Sequence, residues 1–184
     1  MNQLLSDFLH YCGTIFSAMI NDAGHLHPLV VHFPIAIFLT APLLLIPVMF
    51  ARKSASGFRL AFLIMLWLGT VSLWAAYYTG ELAAESLAVL PSAAMAALAE
   101  HDRLAGLCRL IFSILTVAVS LYFGASVYAL KRSDFKLHIL IIITLSVAYA
   151  AGVVVIVNAA HQGGVLVHRH GISSPFFSAP ASPQ

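Results

Sequence analysis

Residues 137–160 read LHILIIITLSVAYAAGVVVIVNAA, an apolar run without a charged side chain. A helix rising about 1.5 Å per residue needs roughly 20 such residues to cross the hydrocarbon of a bilayer. Three more stretches meet that requirement, at 29–50, 58–78 and 104–129. Of the 184 residues, 61% are hydrophobic and 9% charged, and mean hydropathy is +0.95. Soluble domains carry about 25% charged residues, so this composition belongs to the bilayer class. The expected fold is an all-α membrane protein, a four-transmembrane-helix up-and-down bundle in one domain over 25–172. Residues 1–24 are expected to form an interfacial amphipathic helix, and 173–184 an irregular tail.

The net charge of +2 says little about partners, but its placement orients the spans. Arg52, Lys53 and Arg59 lie in the turn after the first run, and Lys131, Arg132 and Lys136 in the turn after the third. Basic residues accumulate in cytoplasmic loops, so both turns are assigned inward. Both termini and the 80–103 connection then face outward, in a multi-pass protein of a bacterial inner membrane with periplasmic termini. Every acid except Asp134 falls on that outer side. There is no basic arm or stripe for nucleic acid. The two cysteines, Cys12 and Cys108, form no Cys-x-x-Cys-His motif, which excludes covalent c-type haem attachment. The N-terminus lacks the basic region and small-residue cleavage site of a signal peptide, so it is expected to be retained.

Between residues 2 and 22, Leu4, Leu5, Phe8, Leu9, Cys12, Ile15, Phe16, Met19 and Ile20 recur at three- and four-residue spacing, one apolar helical face. The segment is short for a span, and it suits a helix lying on the outer membrane surface or packed on a neighbouring subunit. Gly24 ends it. Pro34, Pro42 and Pro47 should bend the first span, since each removes a backbone donor. Trp74, Tyr77 and Tyr78 form an aromatic belt at the outer end of the second. The alanine-rich 81–100 stretch, broken by Pro91, is expected to form two short helices on the outer face, Ser92 capping the second. Ala76 with Gly80, Ser120 with Gly124, and Ala148 with Gly152 sit four apart, a spacing that permits close helix contact.

On this topology eight of the nine histidines fall at the outer face: His10, His25, His27, His32, His101, His161, His168 and His170. His138 alone lies at the other end. Imidazole beside hydrocarbon is costly unless it binds something, and it holds metals well. His32, His101 and His161 share one membrane depth, and the first and third helices of an up-and-down bundle face each other diagonally. His32 and His101 therefore form a candidate axial pair, with His27 just above. His168 and His170 would fold back over the mouth after a turn at Gly163-Gly164. Singly, each histidine could instead serve headgroups and water. Arg109 lies about two turns inside the third span and needs a partner: Asp102, Glu81, Glu85, or a haem propionate, for which Arg103 is the other candidate. Asn158 could donate to a ligand or bridge helices. No phosphate loop, GxSxG elbow or HExxH occurs, and no carboxylate sits near mid-membrane for a proton relay. The chain is not expected to be catalytic alone.

The run His27-Pro28-Leu29-Val30-Val31-His32-Phe33-Pro34 is one of several signatures in the chain. The others are Tyr78-Thr79-Gly80 before Glu81, His101 ahead of the third span, and His161-Gln162-Gly163-Gly164 leading to His170-Gly171. Together these resemble the bacterial domain-of-unknown-function 2231 family of four-helix inner-membrane proteins, over about residues 25–172. Members look similar to four-helix di-haem b cytochromes, and some are joined to c-type haem domains. The resemblance thus implies electron transfer, with a c-type cytochrome as a candidate partner. Two stacked haems need ligands near both faces, and His138 is the one candidate at the inner face, so a single outer cofactor is expected.

Three functions remain open on the sequence. The first is an electron-transfer subunit holding haem b near the periplasmic face through His32 with His101 or His161, assisted by His27, His170 and Arg109. The second is a non-haem copper or zinc site built from His32, His101, His161 and His27. The third is a structural or accessory subunit of a larger membrane complex.

Overall fold

The computed structural model describes residues 2–21, 23–47, 55–87, 90–128 and 135–172, and among these every regular element is helical. Helix α1 spans Asn2–Asn21 and leads through a 3₁₀ turn, Ala23–Leu26, into the first apolar segment. That segment is not one helix. It is divided into α2 (His27–Val30), α3 (His32–Thr40) and a 3₁₀ stretch, Ala41–Leu45. The prolines explain the division: a proline ring supplies no N–H to the carbonyl four residues back, so the α-helical ladder is interrupted. The remaining segments are long and unbroken: α4 (Ala55–Glu85), α5 (Ser92–Tyr128) and α6 (Phe135–His170). Four segments are thus long and apolar enough to cross a membrane, and such surfaces fit a lipid bilayer.

The helices overrun the expected spans at one end. Helix α4 continues to Glu85, α5 begins at Ser92, and α6 runs through Gly163 and Gly164 to His170. The two separate short helices expected in the 81–100 connection are instead the ends of α4 and α5. Alanine is the strongest helix former, and the alanine-rich sequence carries no breaker on either side of Pro91. Pro91 itself starts α5, its carbonyl accepting the Met95 N–H at 3.0 Å. The expected turn at Gly163-Gly164 is likewise absent, because two glycines inside a long apolar pattern weaken a helix without ending it. The stop comes at Gly171, which adopts φ 65°, while the Ile172 N–H returns to the Leu166 carbonyl at 3.1 Å. At about 1.5 Å per residue the 31 to 37 residues of these helices exceed a hydrocarbon core of about 30 Å.

Packing joins the first segment to α4, α4 to α5, and α5 to α6, with α6 also touching α3. Down the middle, Phe38 and Phe112 stack with centroids 3.7 Å apart at 13°, both fully buried, and Tyr149 meets Phe112 edge-on. Helices α4 and α5 are also joined by side-chain hydrogen bonds, in the opposed order that antiparallel helices require. Trp67 Nε1 donates to Ser120 Oγ (3.2 Å), the buried Thr70 and Thr116 hydroxyls share a bond of 2.7 Å, and Trp74 Nε1 donates to Ser113 Oγ (3.1 Å). The Phe38 carbonyl, left without a helical donor by Pro42, receives the Tyr149 hydroxyl at 2.7 Å. The expected ends of two spans at Phe50 and Ala129, the residues Arg52, Lys53, Lys131, Arg132 and Asp134 that bear on orientation, and the 173–184 tail lie outside the described residues.

Tyr149→Phe removes the hydroxyl and leaves the Phe38 carbonyl unpaired in an apolar surrounding. It is expected to destabilise the protein by about 1 kcal/mol, read by denaturant titration in detergent. An unchanged unfolding midpoint would show that this bond does not hold the broken segment.

Candidate functional site

His27 opens the first segment and projects onto α4, where its Nδ1 lies 2.9 Å from the Ala76 carbonyl and 3.3 Å from Thr79 Oγ1. His101 on α5 projects onto α6, its Nδ1 lying 2.9 Å from the Ala159 carbonyl. A carbonyl can only accept, so each ring carries its proton on Nδ1 and, when neutral, keeps the lone pair of Nε2. The two rings meet edge to face with centroids 6.3 Å apart, at 83°. Both are half-buried.

Each imidazole reaches the helix backbone through the gap of a glycine. A Cβ on Gly80 would lie 2.9 Å from His27 Cε1, and one on Gly163 would lie 3.3 Å from His101 Cε1. The two sockets share one construction: an accepting alanine carbonyl, Ala76 or Ala159, and a glycine four residues later. The carbonyl has a second lone pair beyond its helical bond, and the glycine one turn on admits the ring to it. The equivalence continues inward. Eleven residues separate His27 from Phe38 and His101 from Phe112, and eleven separate Gly69 from Gly80 and Gly152 from Gly163. Gly69 faces the Phe38 ring and Gly152 the Phe112 ring, each with a hypothetical Cβ within 3.0 Å of it. The chain therefore repeats one arrangement twice, first segment on α4 and α5 on α6.

The other histidines do not join the pair. His32 is exposed, and its Nδ1 donates to the Pro28 carbonyl of its own segment at 2.6 Å. His161 is exposed on α6, and His168 and His170 lie further out along the same helix because no turn brings them back. His10 is exposed on α1. The His25 and His138 side chains lie outside the described residues. Among the described residues no group of three or more His, Cys, Asp or Glu side chains stands ready to hold a metal ion. Asn158 donates to the Val154 carbonyl of its own helix.

The arginines are also engaged otherwise than by a carboxylate across helices. Arg103 makes a two-pronged pair with Glu100 one turn away, at 2.8 and 2.7 Å. The Arg109 guanidinium lies over the Tyr77 ring at 3.8 Å and the Trp74 ring at 4.7 Å, a cation–π arrangement in place of the expected ion pair. Sequence reasoning found the histidine end and both members of the pair but missed the pairing. The Ala76 and Gly80 spacing permits a close helix contact, and what enters that space is the His27 ring. The signal available was the recurrence of Ala-x-x-x-Gly at 76–80 and 159–163.

No family model, curated protein or solved structure matches the chain. In ¹⁵N-histidine NMR of detergent-solubilised protein, three rings, those of His27, His101 and His32, are expected to show the Nδ1–H tautomer that their carbonyl bonds require. Gly80→Ala, with a contact of 2.9 Å to relieve, should disturb His27 alone. Gly163→Ala, at 3.3 Å, should disturb His101 more weakly. His27 or His101 in the Nε2–H form would contradict its socket.

Proposed function

We propose that this chain is a membrane-embedded electron-transfer subunit that binds one b-type haem between His27 and His101. One observation carries the reading: imidazoles from two separate spans occupy matched sockets that fix the proton on Nδ1 and leave Nε2 for a ligand. Metal-bound histidines are characteristically held this way, the second nitrogen donating to a carbonyl or carboxylate. Two imidazoles bound end-on to one metal at about 2 Å have centroids about 6 Å apart, and the observed separation is 6.3 Å.

The size of the donor set separates haem from bare copper or zinc. Protein zinc and copper sites draw three or four ligands from side chains, whereas a porphyrin supplies four of six itself and asks the protein for two. Among the described residues no third histidine, cysteine or carboxylate converges on the pair, and a two-ligand set suits the porphyrin. When bound, the haem supplies a one-electron couple whose potential depends on its axial ligands and on burial. The chain's own residues orient two rings, hold a proton on each Nδ1, and surround the pair with helix ends that limit water.

The same proposal includes the finer topology and place in the cell: an up-and-down bundle in a bacterial inner membrane, both termini and the histidine end periplasmic, and membership of the family that the sequence signatures resemble. The basic residues of the two turns support the orientation. Helix α1, with Leu4, Leu5, Phe8, Leu9 and Tyr11 exposed, is read as lying in the outer interface. The protruding ends of α4, α5 and α6 offer a docking surface to a redox partner such as a c-type cytochrome.

Protein purified after expression with adequate haem supply is expected to show a b-type reduced-minus-oxidised spectrum and about one haem per chain by pyridine haemochrome. His27→Ala and His101→Ala should each abolish the low-spin signal, while His32→Ala and His161→Ala should keep it. A colourless wild-type protein, or a signal that survives loss of both His27 and His101, rejects the proposal.

A further inference from the structure

Arg109 is an intramembrane cation whose surroundings satisfy only its faces. Trp74 and Tyr77 cover the guanidinium with their π-surfaces, but a ring face accepts none of its in-plane N–H donors. Among the described residues no carboxylate pairs with it, while Arg103 already has Glu100. The repeated arrangement does not need it either. In the first segment the place corresponding to Arg109, eight residues beyond the socket histidine, is taken by Ile35. A cation at this depth that neither architecture nor an ion pair explains points to a ligand.

A shallow apolar groove, open to the surroundings, begins one turn away on the same helix, formed by Ser113, Ile114, Val117, Ala118 and Leu121. Trp74 links the two features, its ring under Arg109 and its Nε1 donating to Ser113 Oγ. Ile114, Val117 and Leu121 are exposed by 59%, 49% and 69%, an apolar surface. From Arg109 to Leu121 is about 18 Å along the helix, close to the roughly 15 Å of one leaflet. Glu81 lies one turn beyond Tyr77 on α4 and Asp102 seven residues before Arg109 on α5, both toward the helix ends. The charge order is therefore carboxylates, then a cation with free donors, then a leaflet-long apolar groove.

We propose that this face binds one amine-bearing zwitterionic phospholipid, its phosphate on Arg109, its ammonium toward Glu81 and Asp102, and one acyl chain along the groove. The guanidinium offers the paired donors that phosphate oxygens accept, and the carboxylates select a headgroup that carries an ammonium beyond the phosphate. An anionic glycerol headgroup would meet the same carboxylates without a compensating charge. The site is separate from the histidine pair and does not depend on what that pair holds.

The test is native mass spectrometry of delipidated protein in detergent, titrated with phosphatidylethanolamine and, separately, phosphatidylglycerol. The wild type is expected to retain one phosphatidylethanolamine per chain and to bind phosphatidylglycerol about tenfold more weakly. Arg109→Gln should weaken phosphatidylethanolamine about tenfold. Val117→Trp, which fills the groove from an exposed position, should weaken it severalfold without shifting the unfolding midpoint of lipid-free protein. Glu81→Gln combined with Asp102→Asn should erase the preference between the two lipids. Equal binding of both lipids by the wild type overturns the proposal, as does phosphatidylethanolamine binding that Arg109→Gln and Val117→Trp both leave unchanged. If Arg109→Gln does not fold, Val117→Trp and the carboxylate pair decide.

Discussion

A main-chain carbonyl that loses its helical donor inside an apolar layer has no water to turn to. It must therefore find a donor on a neighbouring helix. The first segment carries this requirement at its centre, where Pro42 withholds an N–H from the Phe38 carbonyl, and the Tyr149 hydroxyl of α6 supplies the replacement. That bond ties the one interrupted segment to the far side of the molecule. At the same level Phe38 lies on Phe112. Three turns away along the same segment, His27 makes the next polar attachment, to α4. A segment broken into α2, α3 and a 3₁₀ stretch could otherwise rotate piecewise. With both attachments in place, the ring of His27 has a defined position opposite His101.

Both histidine sockets rest on the same backbone property. A helical carbonyl already bonded to the N–H four residues on can accept a second donor, provided no side chain stands in the way. In a helix the obstructing side chain belongs to the residue one turn on, and there each socket has glycine. The recurrence of this device in α4 and α6, with Gly69 and Gly152 opening the same kind of gap for Phe38 and Phe112, makes the two helix pairs equivalent in their buried layer. Pro34 with Cys108, Ala41 with Leu115, and Leu73 with Ile156 continue the correspondence, each pair buried at matching positions. Two equivalent halves that each contribute one imidazole produce a site with two like donors. That is the donor set which the proposed bis-histidine ligation would use.

The sequence made the four apolar segments legible because hydrophobic length is a one-dimensional property. It also revealed that the histidines gather at one end, since distance along a helix follows from residue count. It could not reveal which of them face each other, because that depends on azimuth. His32 lies five residues after His27, about 140° around an ideal helix, so the two cannot share a face. His161 lies two residues before Gly163, about 200° from the socket face. Helix ends were also hidden. The strongly apolar runs stop near Tyr78 and resume at Leu104, while alanine-rich sequence carries α4 to Glu85 and starts α5 at Ser92. The depth of Arg109 suggested an ion pair because carboxylates were the nearest opposite charges in sequence. Folding brings two aromatic faces there first, and a planar, weakly hydrated guanidinium stacks on them well.

The equivalence of the halves also identifies what is particular to each. Positions that match across the repeat, such as the histidines, the socket glycines and the stacked phenylalanines, are explained by the shared core. Positions that differ need a separate cause. Arg109 against Ile35, Trp74 against Val157 and Tyr77 against Ala160 differ together, and Arg109 lies over both of the aromatic rings. A change confined to one residue could be drift accommodated by local packing. A coordinated change places a charge with its two aromatic covers on one side of the molecule only, which makes the surface at α4 and α5 chemically different from the surface at the first segment and α6. The buried layer can thus remain nearly symmetric while the lipid-facing surface does not, since packing constrains the first and the surrounding medium the second.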